Sequence, residues 1–368
     1  MSKKKNYKIC IVGNSFAKGG SEKAHSNLSK FFHTKGIEVH NIIFEDILEY
    51  TYFGELFNIG RLRNKTVFQK INRYKELYNY IKKHQFDYII DFRFRGTFYG
   101  EYILSKFIFG QAKYIPSIRG FRFPGYFTDN DFIAKRIFSE AYKIVTVSKA
   151  IETEVHKKYG YQNLQTIYNI VDTKQIEQLS QEVISELKDV PYIIALGRMA
   201  SYNIKQQDVI IKAYSESELP KNGIKLLLLG DGKKRADFEE LAEKLNLSDK
   251  VIFAGFKSNP YPYLKNAEFM VLASKTEGFP NVILESFACG IPVVSYDCKT
   301  GPNEIIEHKQ NGLLVKDQDI DELIQAMNLM MSDKELYNKC KSNTQKTALK
   351  FSPEIIGQQW LDLMKIKL

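Results

Sequence analysis

Short, unbroken apolar runs alternate with amphipathic stretches along nearly the whole chain. "YKICIVG" (7–13), "EVHNIIF" (38–44) and "DYIIDFR" (87–93) predict buried strands. Between them, "GGSEKAHSNLSKFFHTKG" (19–36) and "RYKELYNYIKKHQ" (73–85) carry helical spacing, the first closed by Gly36. "AKYIPSIRG" and "YKIVTVSKAIETEVHKKYG" continue the alternation. A polar segment of helical period, "TKQIEQLSQEVISELKDV" (173–190), precedes a fresh strand, "YIIALG" (192–197), so the domain boundary is placed there. The second half predicts strands at 225–229, 251–253, 269–272 and 292–295, with helices at 237–247 and 320–333. This pattern predicts an α/β chain of two doubly wound, Rossmann-like domains with an interdomain cleft. The domains are residues 1–175 and 176–350; residues 351–368 predict a C-terminal helix packing back on the first.

Composition narrows the class. The chain has 368 residues, 44% hydrophobic and 26% charged, the balance of a soluble globular protein. No apolar run approaches the roughly 20 residues that span a bilayer. Lys3, Lys4 and Lys5 precede an apolar run too short for a signal peptide, which reads instead as the first strand. Four cysteines, Cys10, Cys289, Cys298 and Cys340, lack metal or redox spacing and suit a reduced, cytosolic compartment. Residues 1–175 hold 29 Lys+Arg against 16 Asp+Glu, and the remainder 24 against 27. A basic first half suggests a polyanionic partner or a solvated basic face, and the charge alone leaves both open.

The chemistry concentrates in "TEGFPNVILESFACGIPVVS" (276–295). The preceding strand ends near Ala273, so residues 274–280 fall at the carboxyl edge of a parallel sheet, where open α/β folds bind ligands. Pro280 suits a helix start and Gly290 a helix end, which predicts a helix over roughly 281–289. Its free amides would hold a diphosphate. Glu285 lies about one turn into that helix, placed for a ribose diol, and Glu277 precedes it, within reach of a sugar hydroxyl. The two acids would grip opposite ends of a nucleotide-sugar. Taken singly, either could be an ordinary surface charge.

Here the chain resembles the retaining glycosyltransferases of the two-Rossmann-domain (GT-B) architecture, family four. Their signature is Glu, seven residues, Glu; it reads Glu277-Gly278-Phe279-Pro280 and then Glu285, followed by Gly290-Ile291-Pro292-Val293. "ALGRM" with Lys205, "LLLLGDGKKRADFEELAEKLNLSDKVIFAGF", "GPNEII" and "NGLLV" follow family order, as do "FAKGGSEKAHSNLSKFF", "IVTVSKAI" and "IYNIVD" in the first half. The likeness covers 8–368 and is loosest between 45 and 140.

The resemblance implies roles residue by residue. Arg198 and Lys205 would neutralise the donor diphosphate and the departing nucleoside diphosphate in place of a metal, although "MASYNI" lengthens the usual spacing between them. Glu277 would bind the donor sugar and Glu285 the ribose. Gly278, Phe279, Pro280 and Asn281 would shape the donor site, and Gly19 and Gly20 would bring backbone near the diphosphate. Where many members place a histidine on the acceptor side, this chain has Arg119 and Arg122 in "PSIRGFRFPG". Arginine cannot act as a base at neutral pH. The resemblance therefore implies a front-face displacement in which the leaving phosphate takes the incoming hydroxyl's proton. Asp129-Asn130-Asp131 has an Asp-x-Asp form but reads as a loop, and His25, His84, His156 and His308 lack metal-ligand spacing, so neither a metal nor another cofactor is expected.

Aromatic and basic residues mingle in 53–75 and 100–127. Such a mixture suits an anionic bilayer surface, though the aromatics could equally be core. The reading that follows is a cytoplasmic enzyme, peripheral on the inner face of the membrane. It would use a nucleoside-diphosphate sugar, with UDP expected, and a lipid-linked saccharide or glycan acceptor, to build a surface polysaccharide. Nucleic acid is not an expected partner. A sugar-nucleotide epimerase of the same architecture, or a non-catalytic sugar-nucleotide binder, are the alternatives.

Overall fold

The computed structural model describes residues 6–17, 19–63, 65–95, 98–121, 125–127, 130–187 and 189–368. It divides into two compact units, residues 1–170 with 353–368, and residues 171–352.

The first unit is built on a parallel sheet of seven strands, β1 (Lys8–Gly13), β2 (Glu38–Ile43), β3 (Glu55–Asn58), β4 (Tyr88–Asp91), β5 (Lys113–Ile118), β6 (Ile144–Thr146) and β7 (Leu164–Thr166). Their order is β3-β2-β1-β4-β5-β6-β7. Since β2 and β3 lie to one side of β1 and the later strands to the other, the chain reverses direction between β1 and β4. Cys10, Val12, Ile42 and Ile89 of this sheet pack on Leu77 and Ile81 of the helix Val67–His84. That helix starts six residues earlier than the apolar spacing predicts, because a Thr66–Gln69 capping box opens it ahead of its core-facing turns. The edge strand β3 is absent from the sequence prediction, since its residues are exposed or half-buried and carry no apolar run.

The chain's last helix, Pro353–Leu363, belongs to this unit. Gly357 faces the Phe31 ring so closely that a Cβ would stand 2.3 Å from it. Trp360 lies 6.4 Å from Phe92, and the Tyr88 hydroxyl donates to the carbonyl of Met364. The "TKQIEQLSQEVISELKDV" stretch is shorter in helix than its period predicts: only Thr173–Leu179 is helical, with Ile176 its one buried side chain.

The second unit carries β8 (Tyr192–Leu196), β9 (Lys225–Leu229), β10 (Val251–Gly255), β11 (Met270–Leu272), β12 (Val293–Tyr296) and β13 (Gly312–Val315). All are parallel, in the order β10-β9-β8-β11-β12-β13. Ile193, Leu226, Leu228, Val271 and Val294 are almost wholly buried, which is why these strands read as continuous apolar runs. The direction reverses between β8 and β11, and the loops leaving those two strands therefore part at the carboxyl edge.

Among the described residues no helix is long and apolar enough to cross a membrane, and all four cysteines are free thiols.

Candidate donor site at the carboxyl edge of the second sheet

The second unit's switch point is lined by two loops. The one after β8 carries Gly197 and exposed Arg198, then turns through Asn203 and Gln206, both at positive φ, into the helix Gln207–Glu216. The one after β11 carries Ser274 to Pro280 and enters the helix Asn281–Ala288. A backbone bond from Lys275 N–H to the Ile204 carbonyl, 2.9 Å, ties them together.

Lys205 and Glu277 meet across this tie. Lys205 Nζ donates to Glu277 Oε1 at 2.5 Å, and both side chains are largely buried. Gly197 makes room for the lysine: a Cβ there would stand 2.8 Å from Lys205 Cγ. Thr300 Oγ1 donates to the Glu277 carbonyl from the opposite side. Gly301, at φ +96°, lets this strand of loop lie against Pro280, whose Cδ is 2.5 Å from where a Cβ would be. Lys205, Glu277, Gly278, Phe279 and Pro280 are thereby brought together, and Asn281 and Glu285 follow on the adjoining helix.

That helix begins at Asn281, its cap residue Pro280 offering no side-chain acceptor. Its first amides therefore point to the carboxyl edge without a capping side chain, the arrangement that binds anions. Glu285, the helix's fifth residue, is 6% exposed, so its carboxylate is held by the fold rather than trailing in solvent. The helix ends at Ala288, with Cys289 as its cap residue and Gly290 beyond it at φ +81°, as the glycine predicts.

The polar groups of this corner are incompletely paired. Asn203 Oδ1, Gln206 Oε1, Gln207 Oε1, Ser274 Oγ and Thr276 Oγ1 are buried side-chain oxygens with no hydrogen-bond partner. Orphaned buried acceptors and hydroxyls cost free energy, and five within two short segments flanking one ion pair mark a place suited to receive polar atoms. None of the five came from the sequence reading. The only signal in the sequence was their position beside Lys205 and Glu277. Nearby, burial first and the Glu277 charge second push the Cys298 thiol up to about 12, so it is protonated and chemically quiet.

The remaining predicted residues lie in the first unit. Gly19 caps the helix Gly20–Thr34 in extended backbone, and Glu22 Oε2 would be 2.2 Å from a Cβ at Gly19, so the pair opens that helix's first turn beneath a carboxylate. Arg119 follows β5; it donates to Ser117 Oγ at 3.1 Å and to Asn169 Oδ1, and lies 4.5 Å over the Phe92 ring. Burial lowers its pKa to about 10. It is thus tied into the unit rather than reaching freely outward. Arg122 lies outside the described residues. Asp129 does as well, and the loop reading needs correction beside it: Asn130 accepts from the Ile133 amide as the cap of the helix Asp131–Ser139, so Asp131 is in a helical first turn.

Two buried groups at the first unit's switch point went unforeseen. Asp91, ending β4, accepts from Arg93 Nε at 2.9 Å, Arg93 Nη2 at 2.8 Å and Tyr114 Oη at 2.8 Å; Arg93 also bonds Glu101 at 3.0 Å. Burial alone would raise the Asp91 carboxyl, but Arg93 and Arg95 outweigh it and hold it at about 2. His25 bonds Asn41 Oδ1 through Nε2 at 3.0 Å, and its Nδ1 is unpartnered. Burial, with Arg119's charge adding to it, lowers His25 to about 3, so it is neutral at pH 7 and a poor base.

Residues 176–347 match the family described as "Glycosyl transferases group 1". The chain is similar to that family over this stretch, and the resemblance drawn from the Glu277–Glu285 signature is borne out. It is 33% identical over 223 residues to the N-acetylgalactosamine-N,N'-diacetylbacillosaminyl-diphospho-undecaprenol 4-alpha-N-acetylgalactosaminyltransferase of Campylobacter jejuni, covering 60% of this chain and 59% of that one. The lipopolysaccharide core biosynthesis glycosyltransferase LpsE of Rhizobium meliloti is 31% identical over 205 residues, 55% of this chain and 58% of its own. The matched stretch thus spans somewhat under two thirds of these relatives. Over nearly the whole chain the fold matches that of Anabaena Alr3699/HepE crystallised with UDP, TM-score 0.79 and 21% identity, covering 97% of this chain and 99% of that one. It equally matches a Rickettsia africae glycosyltransferase, TM-score 0.79, 21% identity, 98% of each. The two-domain Rossmann-like GT-B architecture is that of these structures. Nothing in the comparisons supports the epimerase reading.

Proposed function

We propose that the protein is a retaining glycosyltransferase that moves a sugar from a UDP-sugar to a lipid-linked saccharide or glycan acceptor in surface-polysaccharide synthesis. The observation that carries this reading is the Lys205–Glu277 pair, set at a sheet switch point among five unpartnered buried oxygens. A ligand with a dianionic diphosphate, a ribose and a sugar ring supplies what this corner lacks. The diphosphate meets Lys205, Arg198 and the amides that start at Asn281. Hydroxyls reach Glu277 and Glu285, with Gly278, Phe279 and Pro280 shaping the space between.

In the free protein Lys205 is neutralised by Glu277. Arrival of a diphosphate draws the ammonium to the phosphate oxygens and releases the carboxylate to accept from sugar hydroxyls, so one pair serves both halves of the donor. As the glycosidic bond breaks, negative charge grows on the leaving diphosphate, where Lys205 and Arg198 stabilise it most. The leaving oxygen takes the acceptor hydroxyl's proton on the same face, so no side-chain base and no metal is required. The transferase names of the Campylobacter and Rhizobium relatives, and the UDP in the Anabaena structure, support the donor and acceptor classes.

Attachment to an anionic membrane surface belongs to this proposal. In the first unit Val67, Phe68 and Ile71 are 71%, 85% and 60% exposed on a helix that also carries Lys70 and Lys75, and Tyr99, Ile103 and Phe107 are exposed beside Lys106. The same stretches also supply core: Phe57, Tyr74 and Phe109 pack inward. With the relatives' lipid-linked and lipopolysaccharide substrates, this supports a cytoplasmic, peripheral enzyme.

The test is release of UDP from a panel of UDP-sugars with undecaprenyl-diphosphate saccharides as acceptors. Release that depends on acceptor and leaves an α-linked product supports transfer. Epimerised free UDP-sugar, or binding without turnover on any acceptor, would refute it.

A further inference from the structure

The first unit holds a second cluster of ligand-type side chains that the donor reaction does not use. Glu38 and His40 sit two apart on β2, so both side chains project from one face of the sheet. His84 is the last residue of the helix Val67–His84, and its ring lies 4.5 Å from that of His40. One donor atom from each of the three falls within 4.8 Å of the others. We propose that Glu38, His40 and His84 form a binding site for a borderline divalent transition cation of the zinc type, joining the amino end of β2 to the carboxyl end of that helix.

Three observations carry it. His40 Nε2 and Glu38 Oε1 are already 3.1 Å apart, close to the roughly 3.3–3.5 Å between donors around a tetrahedral zinc with bonds of about 2.1 Å. His40 Nδ1 is bonded to the Tyr80 hydroxyl at 2.6 Å, the outer contact that orients a metal-binding imidazole and leaves Nε2 to face the ion. The site also adjoins the carboxyl end of an 18-residue helix, whose exposed carbonyls favour a cation.

One contact opposes binding. Lys8 Nζ pairs with Glu38 Oε1 at 3.0 Å, so an entering cation shares or displaces that ammonium. This makes the site one of moderate affinity and supplies a signature: removing the lysine charge must tighten binding. Sequence spacing could not find the site, since His40 and His84 lie 44 positions apart and only the strand–helix packing unites them.

The inference does not depend on the donor reading, since it is tested by metal binding alone. The full chain, stripped by chelator and dialysed, is titrated with Zn2+ by calorimetry in a non-coordinating buffer at pH 7.5. One equivalent is expected to bind. His84→Ala and Glu38→Gln, both at partly exposed positions, should weaken it tenfold or more, Lys8→Gln should strengthen it severalfold, and His308→Ala should leave it unchanged. Circular dichroism confirms that each variant is folded. No one-equivalent binding, or affinities in H84A and E38Q equal to the parent's, would overturn the proposal.

Discussion

Glu277 has two tasks that its contacts separate. Its carbonyl accepts from Thr300, and its carboxylate is held by Lys205, a contact that the proposed mechanism exchanges for a ligand. Glu277→Gln keeps the shape but loses the charge, and Arg198→Ala removes a cation from an exposed loop position. Each is expected to lower turnover by about two orders of magnitude or more, the scale of a lost electrostatic contact in the transition state, with melting temperature nearly unchanged. Near-parental steady-state rates in either variant would refute its role. His25 makes a different prediction. Folded, it stays neutral down to about pH 3; unfolded, it takes a proton near 6.5. Below pH 6.5 the unfolded chain therefore binds more protons, and stability falls by about 1.4 kcal/mol per pH unit from this residue until the pH reaches its folded value. Asp91 acts in the same direction but lower, its contribution present above pH 3.8 and lost as the pH falls toward 2. Denaturant melts at pH 7, 6 and 5 should show the decline, and His25→Asn should flatten it. Equal slopes in both proteins would rule out His25 as its source.

At the scale of elements, the site depends on loops that approach more closely than side chains allow. Gly230, at φ +143°, faces the Gly197 carbonyl so closely that a Cβ would lie 2.1 Å from it. Gly290, by contrast, has φ +81° with its nearest neighbour 3.7 Å away. Gly290→Ala should therefore cost about 1 kcal/mol of stability, measured by urea unfolding, and leave UDP binding intact. Gly230→Ala should displace the Gly197–Arg198 backbone and weaken UDP binding severalfold; unchanged affinity would contradict the close approach as a requirement of the site. These elements differ in how plainly the sequence announces them. The strand–loop–helix of residues 270–290 was legible because its signals are local: an apolar run, a Gly-Phe-Pro turn, an N-terminal proline and a C-terminal glycine. Lys205 and Glu277 were each singled out by family likeness, but their pairing across 72 positions was not foreseen and comes from the fold. The unpartnered oxygens of Gln206, Gln207, Ser274 and Thr276 could not be read at all, since burial without a partner is a property of packing. The same holds for Asp91 with Arg93: the apolar run predicts their strand but not that the two charges are buried against each other.

For the molecule as a whole, the division of charge follows the proposed division of labour. The basic first half exposes apolar and aromatic side chains beside lysines on the helix Val67–His84, and the near-neutral second half holds the donor corner. Phe68→Ser with Ile71→Ser should reduce sedimentation with vesicles containing phosphatidylglycerol while leaving UDP binding unchanged, because both residues are exposed and neither is among the candidate donor-site residues. Equal sedimentation of parent and variant, or none by the parent, would remove the membrane from the account. The central claim, a donor site for a UDP-sugar that works without a metal, is tested most directly by the melting temperature of the full chain with UDP, GDP, ADP and a set of UDP-sugars, each with and without EDTA. The account predicts a rise with UDP and with one UDP-sugar, of the same size in EDTA and absent in Glu285→Ala. No rise with any nucleotide, or a rise that EDTA abolishes, would contradict it.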